Sequence, residues 1–248
     1  MNRNNIFALL TDFGFDFAVA SMKALLIKEI PQSTIIDIDH SVSKFSINSG
    51  SFIIKQVQHY FPKDTIFICI IDPGVGSLRE ALCVESDGAV FFGPNNGIFS
   101  HLIEKEDTNI FQIDEQKIKP ATYTFHGRDL FVPAAIKYSQ GDRSFLLPLD
   151  HNKLIVLEKN DDYIAYIDSF GNIKTTLKVD NSLIPGNKYD VIVGNQTYYI
   201  PFVTTFSDVS IGTLLCYKGS NETLEIAVNL GSAQQFLQAR VGESVEIK

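Results

Sequence analysis

Two apolar runs constrain this chain more than any other feature: Ile6–Leu10 and Thr65–Ile71 each give way abruptly to an aspartate and a glycine-bearing turn. Short apolar runs without alternation read as strands buried on both faces, as in a parallel sheet covered by helices. In an open α/β sheet, ligands bind outside the carboxyl ends of the strands. Asp12, in Thr11-Asp12-Phe13-Gly14, and Asp72, in Ile71-Asp72-Pro73-Gly74-Val75-Gly76, therefore stand where chemistry is expected.

Between and after these runs, strand and helix signals alternate. Phe17–Ile30 carries an apolar face of Val19, Met22, Leu25 and Leu26 and is stopped by Pro31. Thr34–Ile38 reads as a strand, Ile47–Tyr60 as a helix ended near Pro62, and Leu82–Ser86 with Ala89–Phe92 as a hairpin turning at Asp87-Gly88. Gly127–Ser139 reads as a further helix. This alternation predicts an α/β domain with a mainly parallel sheet. After about Gly141 the texture changes to short strands punctuated by Asn172, Pro185-Gly186, Gly194-Asn195 and Gly219-Ser220. Leu154–Leu157, Tyr163–Asp168, Tyr189–Val193, Thr197–Ile200, Leu214–Tyr217, Leu224–Val228 and Ser244–Ile247 are the expected strands. They predict a smaller all-β, barrel-like or sandwich domain. The expected division is residues 1–149 and 150–248.

The formal charge of −8 argues against a nucleic-acid partner, since phosphate binding requires clustered Lys and Arg. No run approaches the roughly 18 apolar residues of a membrane helix. Ile6–Leu10 is too short for a signal-peptide core, so a cytoplasmic protein is expected. Cys69, Cys83 and Cys216 are isolated and read as buried thiols.

Several constellations invite chemistry. The Asp12 carboxylate offers two acceptor oxygens in one plane, which suits the vicinal hydroxyls of a ribose; capping the next helix or tying a turn is the alternative. The turn Asp72–Ser77 lacks both the Gly-Lys-Ser/Thr ending and the G-x-G-x-x-G spacing of phosphate loops. It does keep Asp72 and Arg79 close in sequence. His126, between Phe125 and Gly127, reads by itself as a satisfied structural histidine. Asp37-Ile38-Asp39-His40 reads first as a helix cap at the strand end, with a metal cluster, which no second ligand cluster supports, as the alternative. Asp168-Ser169-Phe170-Gly171-Asn172 places an aromatic and an amide on a turn, for a base or an amino acid, or is a hairpin turn with a packed Phe. The residues alone thus point to a small polar ligand at strand termini, with no metal or phosphate signature.

Taken together, these motifs resemble the S-adenosyl-L-methionine (SAM) hydroxide adenosyltransferase family, relatives of the fluorinase and chlorinase enzymes. The resemblance is carried by Leu10–Gly14 with Asp16, Met22-Lys23, Asp37–His40, Tyr60-Phe61-Pro62, Ile71–Ser77 with Arg79, Gly93-Pro94 with Asn96-Gly97, and Thr124–Asp129. Asp168 with Phe170–Asn172, and Leu224–Asn229 with Gly231-Ser232-Ala233, continue it. It implies a homotrimer whose active sites lie between one subunit's N-terminal domain and a neighbour's C-terminal domain. It places an Asp-Arg-His triad on Asp72, Arg79 and His126, and a ribose-binding aspartate on Asp12. Asp16, Phe45 and Phe125 then join the substrate site, with Asp168, Phe170 and Asn172 facing adenine and methionine. Ser220 and Asn221 fall where the family binds the methionine carboxylate. Three positions depart from the family pattern: Asn95 replaces an aspartate, Ala18 an aromatic and Ala24 a glycine.

The implied reaction is attack of water or hydroxide on the ribose C5′ of SAM, giving adenosine and L-methionine, with no metal and no cofactor. A halide-using enzyme of the same family and a non-catalytic SAM- or adenosine-binding protein are the alternatives. A metal-dependent hydrolase built on Asp37, Asp39 and His40 stands behind them.

Overall fold

The computed structural model describes residues 5–158 and 162–248, which form two compact units dividing after Leu157. In the first unit, strands β1 (Ile6–Thr11), β2 (Thr34–Asp39), β3 (Ile66–Ile70), β4 (Ala81–Ser86), β5 (Ala89–Pro94), β6 (Asn109–Ile113) and β7 (Leu146–Pro148) make one sheet. Its order is β2-β1-β3-β5-β4-β6-β7. The first four in that order run parallel; β4, β6 and β7 extend the sheet antiparallel. The β4–β5 hairpin turns at Asp87-Gly88, with Asp87 in the left-handed region at φ 56°.

Helices cover the sheet because each buries one apolar stripe. In α1 (Phe17–Glu29), Val19, Met22 and Leu26 are buried at helical spacing. Met22 and Leu26 join Phe7, Leu9, Ile68, Ile70 and Phe131 in one core. Helix α2 (Ile47–Val57) approaches so closely at Gly50 that a Cβ there would sit 2.3 Å from Ile71 Cδ1, so a larger residue would force the buried Ile71 side chain to shift. A run of aromatic rings, Phe67 on Phe91 at 4.6 Å and Phe91 against Phe99 at 6.0 Å, fills the strand side chains beneath the short α3 (Ser100–Ile103). A second short helix, α4 (Glu115–Ile118), follows β6. The expected helix over 127–139 begins instead as a π-helical turn, Gly127–Phe131, and continues as α5 (Val132–Ser139). Pro133 lies near the start of α5, and the Val132 N–H before it donates to the Gly127 carbonyl, so the helix runs on from the π-helical turn without a break.

The second unit contains two antiparallel sheets. One is β12 (Leu214–Lys218), β13 (Thr223–Val228), β9 (Ile173–Lys178) and β8 (Ile164–Ile167); the other is β11 (Gln196–Pro201), β10 (Lys188–Val193) and β14 (Val245–Ile247). They enclose one core of Ile164, Ile173, Val191, Ile200, Phe202, Leu224 and Ile226, flanked by α6 (Ala233–Leu237). Isolated bridges at Tyr163–Ser244 and Phe202–Cys216 link the sheets, and no closed barrel ladder forms among the described residues.

Residues 154–157 are not the strand expected from their apolar character. Side chains, not a strand ladder, take up their backbone: Asn95 Oδ1 accepts the Ile155 N–H at 3.0 Å and Ser100 Oγ accepts the Leu157 N–H at 2.8 Å. All three cysteines are free and buried, and burial raises each thiol's pKa, leaving them inert packing residues. No helix among the described residues is long and apolar enough to cross a membrane.

Candidate active site

Asp72 follows the end of β3, where the chain leaves the sheet and turns. Val75 N–H donates to the Asp72 carbonyl at 3.2 Å and Ser77 N–H to the Gly74 carbonyl at 3.0 Å, folding the loop back on itself. Ser77 Oγ then takes the Arg79 N–H at 3.3 Å. The loop thereby returns Arg79 onto Asp72: Arg79 Nε donates to Asp72 Oδ1 at 2.8 Å, and Nη2 donates to Oδ2. This two-pronged geometry is the strongest that a guanidinium and a carboxylate form. Their side chains are 7% and 4% exposed, so two charges are held out of water only because each has the other.

His126 reaches this pair from a remote segment. Its backbone opens the π-helical turn, a distortion frequent at functional sites. Arg79 Nη2 donates to His126 Nδ1 at 2.9 Å. A guanidinium can only donate, so Nδ1 must accept and the neutral ring carries its proton on Nε2. Burial, then the adjacent Arg79 charge, lower the imidazole pKa and keep it neutral. Nε2 is buried without a hydrogen-bond partner among the described residues. A cavity of about 150 Å³ adjoins the cluster, lined by Phe13, Ala18, Ile70, Asp72, Val75, Thr124, Phe125, His126 and Gly127. Its walls are mostly apolar. Phe13 meets Phe125 edge-on at 5.8 Å, and the Arg128 guanidinium covers the Phe125 ring at 4.9 Å, held there by Asp129 at 2.6 and 2.8 Å.

Asp12 lies just beyond β1. It does not cap α1: that role falls to Asp16, whose carboxylate accepts the Ala18 N–H at 3.3 Å. Asp12 Oδ2 instead accepts the Phe45 N–H at 2.8 Å, joining the loops after β1 and β2. Phe45 adopts a left-handed φ of 64° with its ring largely exposed. That conformation is uncommon for a residue of its size, and such strain collects at functional sites.

In the second unit, Asp168 organises the turn it begins. Its Oδ1 accepts the N–H groups of Phe170 at 3.0 Å and Asn172 at 2.9 Å, and Oδ2 accepts Asn172 Nδ2 at 3.1 Å. Gly171 has φ 82°, and a Cβ there would lie 2.0 Å from Ser232 Oγ, so no other residue fits. Phe170 is not packed but 77% exposed. Ser220 and Asn221 belong to another turn, between β12 and β13, closed by Gly219 N–H to the Thr223 carbonyl at 2.8 Å.

Asp37, Asp39 and His40 form neither the helix cap expected at the strand end nor the alternative metal cluster. Asp37 pairs with Lys23 and His40, and Asp39 Oδ1 takes the Ser41 N–H at 2.7 Å in a local turn. No group of three or more His, Cys, Asp or Glu among the described residues is arranged to hold a metal ion. Residue reading also missed Glu80 and the use made of Asn95. Asn95 Nδ2 donates to Glu80 Oε2 at 3.0 Å and to the Lys153 carbonyl at 2.8 Å. An aspartate at this place would lack both donors and put a second negative charge against Glu80, which accounts for the amide. Burial opposes ionisation of Glu80, yet the bonds from Asn95 and Lys153 hold its carboxyl below the usual range. The one sequence signal was that Asn95 stood inside a Gly-Pro-Asn-Asn-Gly loop.

Comparison with known proteins places these features in context. Residues 7–145 match the SAM hydroxide adenosyltransferase N-terminal domain, and residues 162–246 the corresponding C-terminal domain. The (R)-S-adenosyl-L-methionine hydrolase of Methanocaldococcus jannaschii is 30% identical over 260 residues, covering 98% of this chain and 95% of that protein. A protein of the same name from Thermus thermophilus is 28% identical, covering 96% of this chain and 97% of that protein. Among solved structures, an uncharacterized conserved protein from Thermotoga maritima superposes with a TM-score of 0.86 at 30% identity. That match covers 98% of this chain and 100% of the other.

Proposed function

Because this chain belongs to the SAM hydroxide adenosyltransferase family, we propose that it hydrolyses SAM, water attacking the ribose C5′ to give adenosine and L-methionine. The (R) sulfonium epimer, named in its relatives, is the substrate form we assign. The observation that carries this reading is the buried Asp72–Arg79–His126 cluster beside an apolar cavity. A new O–C5′ bond forms as the C5′–S bond breaks, and the electron pair returns to sulfur as a neutral thioether. The leaving group needs no proton, so SAM supplies its own activation and no cofactor is required. The demanding task is the nucleophile, because bulk water has a pKa of about 15.7.

The roles proposed for the triad follow from the tautomer of His126. With Nδ1 occupied by Arg79, the Nε2–H is a donor, and with the guanidinium it stabilises negative charge growing on the water oxygen. Asp72 uses one lone pair of each oxygen on Arg79 and keeps the others, which makes it the acceptor of the water proton. The attack unites an anion with a cation, so a dry, apolar cavity favours it. Asp12 binds the ribose hydroxyls; Asp16, Phe45 and Phe125 line the nucleoside. Asp168, Phe170, Asn172, Ser220 and Asn221 come from a neighbouring subunit of a homotrimer, in a cytoplasmic enzyme. The rim supports that assembly: Phe15 and Leu78, next to the Asp12 and Arg79 loops, are wholly exposed.

Incubation of each sulfonium epimer with the enzyme in ¹⁸O-labelled water tests the reading. Adenosine labelled at the 5′-hydroxyl is expected. A 5′-halo-5′-deoxyadenosine formed in the presence of halide would move the chain to the halogenase class. Bound but unaltered SAM would make it a binding protein.

A further inference from the structure

The Asp37–His40 stretch takes no part in the triad, yet it ends a hydrogen-bonded chain that runs to the Asp12 turn. Lys23 of α1 donates to Asp37 Oδ2, and His40 Nε2 lies 3.1 Å from Asp37 Oδ1. On the far side of the ring, Nδ1 lies 2.8 Å from Oγ1 of Thr11, which is fully buried. Thr11 Oγ1 accepts the Phe13 N–H at 3.3 Å, and the His40 carbonyl accepts the Gly14 N–H at 2.6 Å. His40 therefore grips the chain on both sides of Asp12, through its ring before and through its backbone after.

The directions of these bonds are consistent from end to end. A carboxylate only accepts, so Asp37 holds a proton on His40 Nε2, and in the neutral ring Nδ1 accepts the Thr11 hydroxyl. The hydroxyl oxygen is thereby left to accept from Phe13. A register shift puts the ring in place: Leu9 pairs with Asp37 but Leu10 pairs with Asp39, a bulge that advances the end of β2 relative to β1. Bulges of this kind re-aim side chains beside active sites. The second tie on Asp12, from Phe45 N–H, comes from the same loop after β2.

We propose that His40 is a positioning residue: its bonds to Thr11 and Gly14 fix the turn that presents the Asp12 carboxylate to the substrate ribose. The proposal rests on the reading of Asp12 as the ribose ligand. Loss of the His40 ring or of the Thr11 hydroxyl removes the tie on the Thr11 side of the turn and weakens ribose binding, while the backbone bond to Gly14 and the contacts of Asp72, Arg79 and His126 remain.

The test measures Kd for adenosine and 2′-deoxyadenosine by calorimetry, and kcat and KM for SAM, in the full chain and in His40→Ala, Thr11→Val and Thr11→Ser. The parent is expected to prefer adenosine. His40→Ala and Thr11→Val should lose most of that preference and raise KM by about tenfold, the scale of one or two hydrogen bonds, with kcat changed by less than about threefold. Thr11→Ser retains the hydroxyl and should keep the parent's preference. Where His40→Ala does not fold, the Thr11 pair decides, because Val conserves the shape of Thr. Folded variants with the parent's preference and KM would overturn the positioning role. A parent indifferent to the 2′-hydroxyl would overturn the ribose role of Asp12 and the proposal with it. A parent that discriminates but forms no adenosine would overturn the hydrolase reading and leave the positioning role standing on binding alone.

Discussion

Asp72, Arg79 and His126 are drawn from segments up to 54 residues apart and are almost wholly buried, whereas the Asp168–Asn172 turn satisfies its polar groups locally and leaves Phe170 in solvent. The two regions show how differently a buried charged cluster and an exposed aromatic turn are built. Activating water requires charges held rigidly in a low-dielectric site, and burial of those charges requires partners brought in from elsewhere in the fold. Recognition of a flat ring requires only an aromatic face on a stiff turn, which a short stretch of sequence supplies by itself.

The largest effect expected from this contrast is that of Arg79→Ala. It leaves the buried Asp72 charge unpaired, and should cost about 3–5 kcal/mol of stability as well as turnover. Urea unfolding alongside an adenosine-release assay checks both; a fully stable variant would show that the triad is less buried in solution. His126→Gln separates donor from base. Its amide can replace the Nε2–H, so turnover should survive above that of His126→Ala, and equal loss in both would contradict the donor assignment.

Asn95→Asp should follow at about 1–3 kcal/mol, because Lys153 and Glu80 lose their donors and Glu80 gains a like charge. Thermal unfolding reads it directly. Weaker still is the pH dependence of the triad. Folding lowers the His126 pKa, so below about pH 6.5 the unfolded ring binds a proton that the folded ring refuses. Its contribution to stability is complete above that pH and falls as pH drops toward the folded value. The parent should therefore lose stability between pH 7 and 5.5 more steeply than His126→Gln, in parallel unfolding titrations. The smallest effect on stability belongs to Phe170→Ala, which should stay within about 0.5 kcal/mol while binding adenosine more weakly. A large drop in its Tm would show the ring to be packed, against its exposure here.

The same contrast marks what was legible in the residues. The apolar strands, their abrupt aspartates, α1 with its stripe of Val19, Met22 and Leu26, and the β4–β5 hairpin followed from local rules of periodicity and turn chemistry. The Asp168 turn was legible for the same reason, since Asp, Gly and Asn shape their own backbone. By contrast, β6, β7 and β9 were not foreseen. Asn109–Ile113 and Leu146–Pro148 are strands because each finds a neighbour in the sheet, and short mixed sequences carry little preference of their own. Residues 154–157, apolar enough for a strand, found the side chains of Asn95 and Ser100 first.

By itself, then, the sequence determined the fold class, the two-part organisation and the family, because these depend on patterns and motifs that repeat along the chain. It also named Asp72, Arg79 and His126 as a set, through resemblance and not through any local signal. Only the tertiary structure decided that Arg79 occupies both Asp72 oxygens and the His126 Nδ1, that Nε2 is consequently the protonated nitrogen, and that His40 reaches Thr11 across a bulge. Those facts depend on distances between segments far apart in sequence, and on which donors are already spent when they meet. A chain read one residue after another holds no record of either.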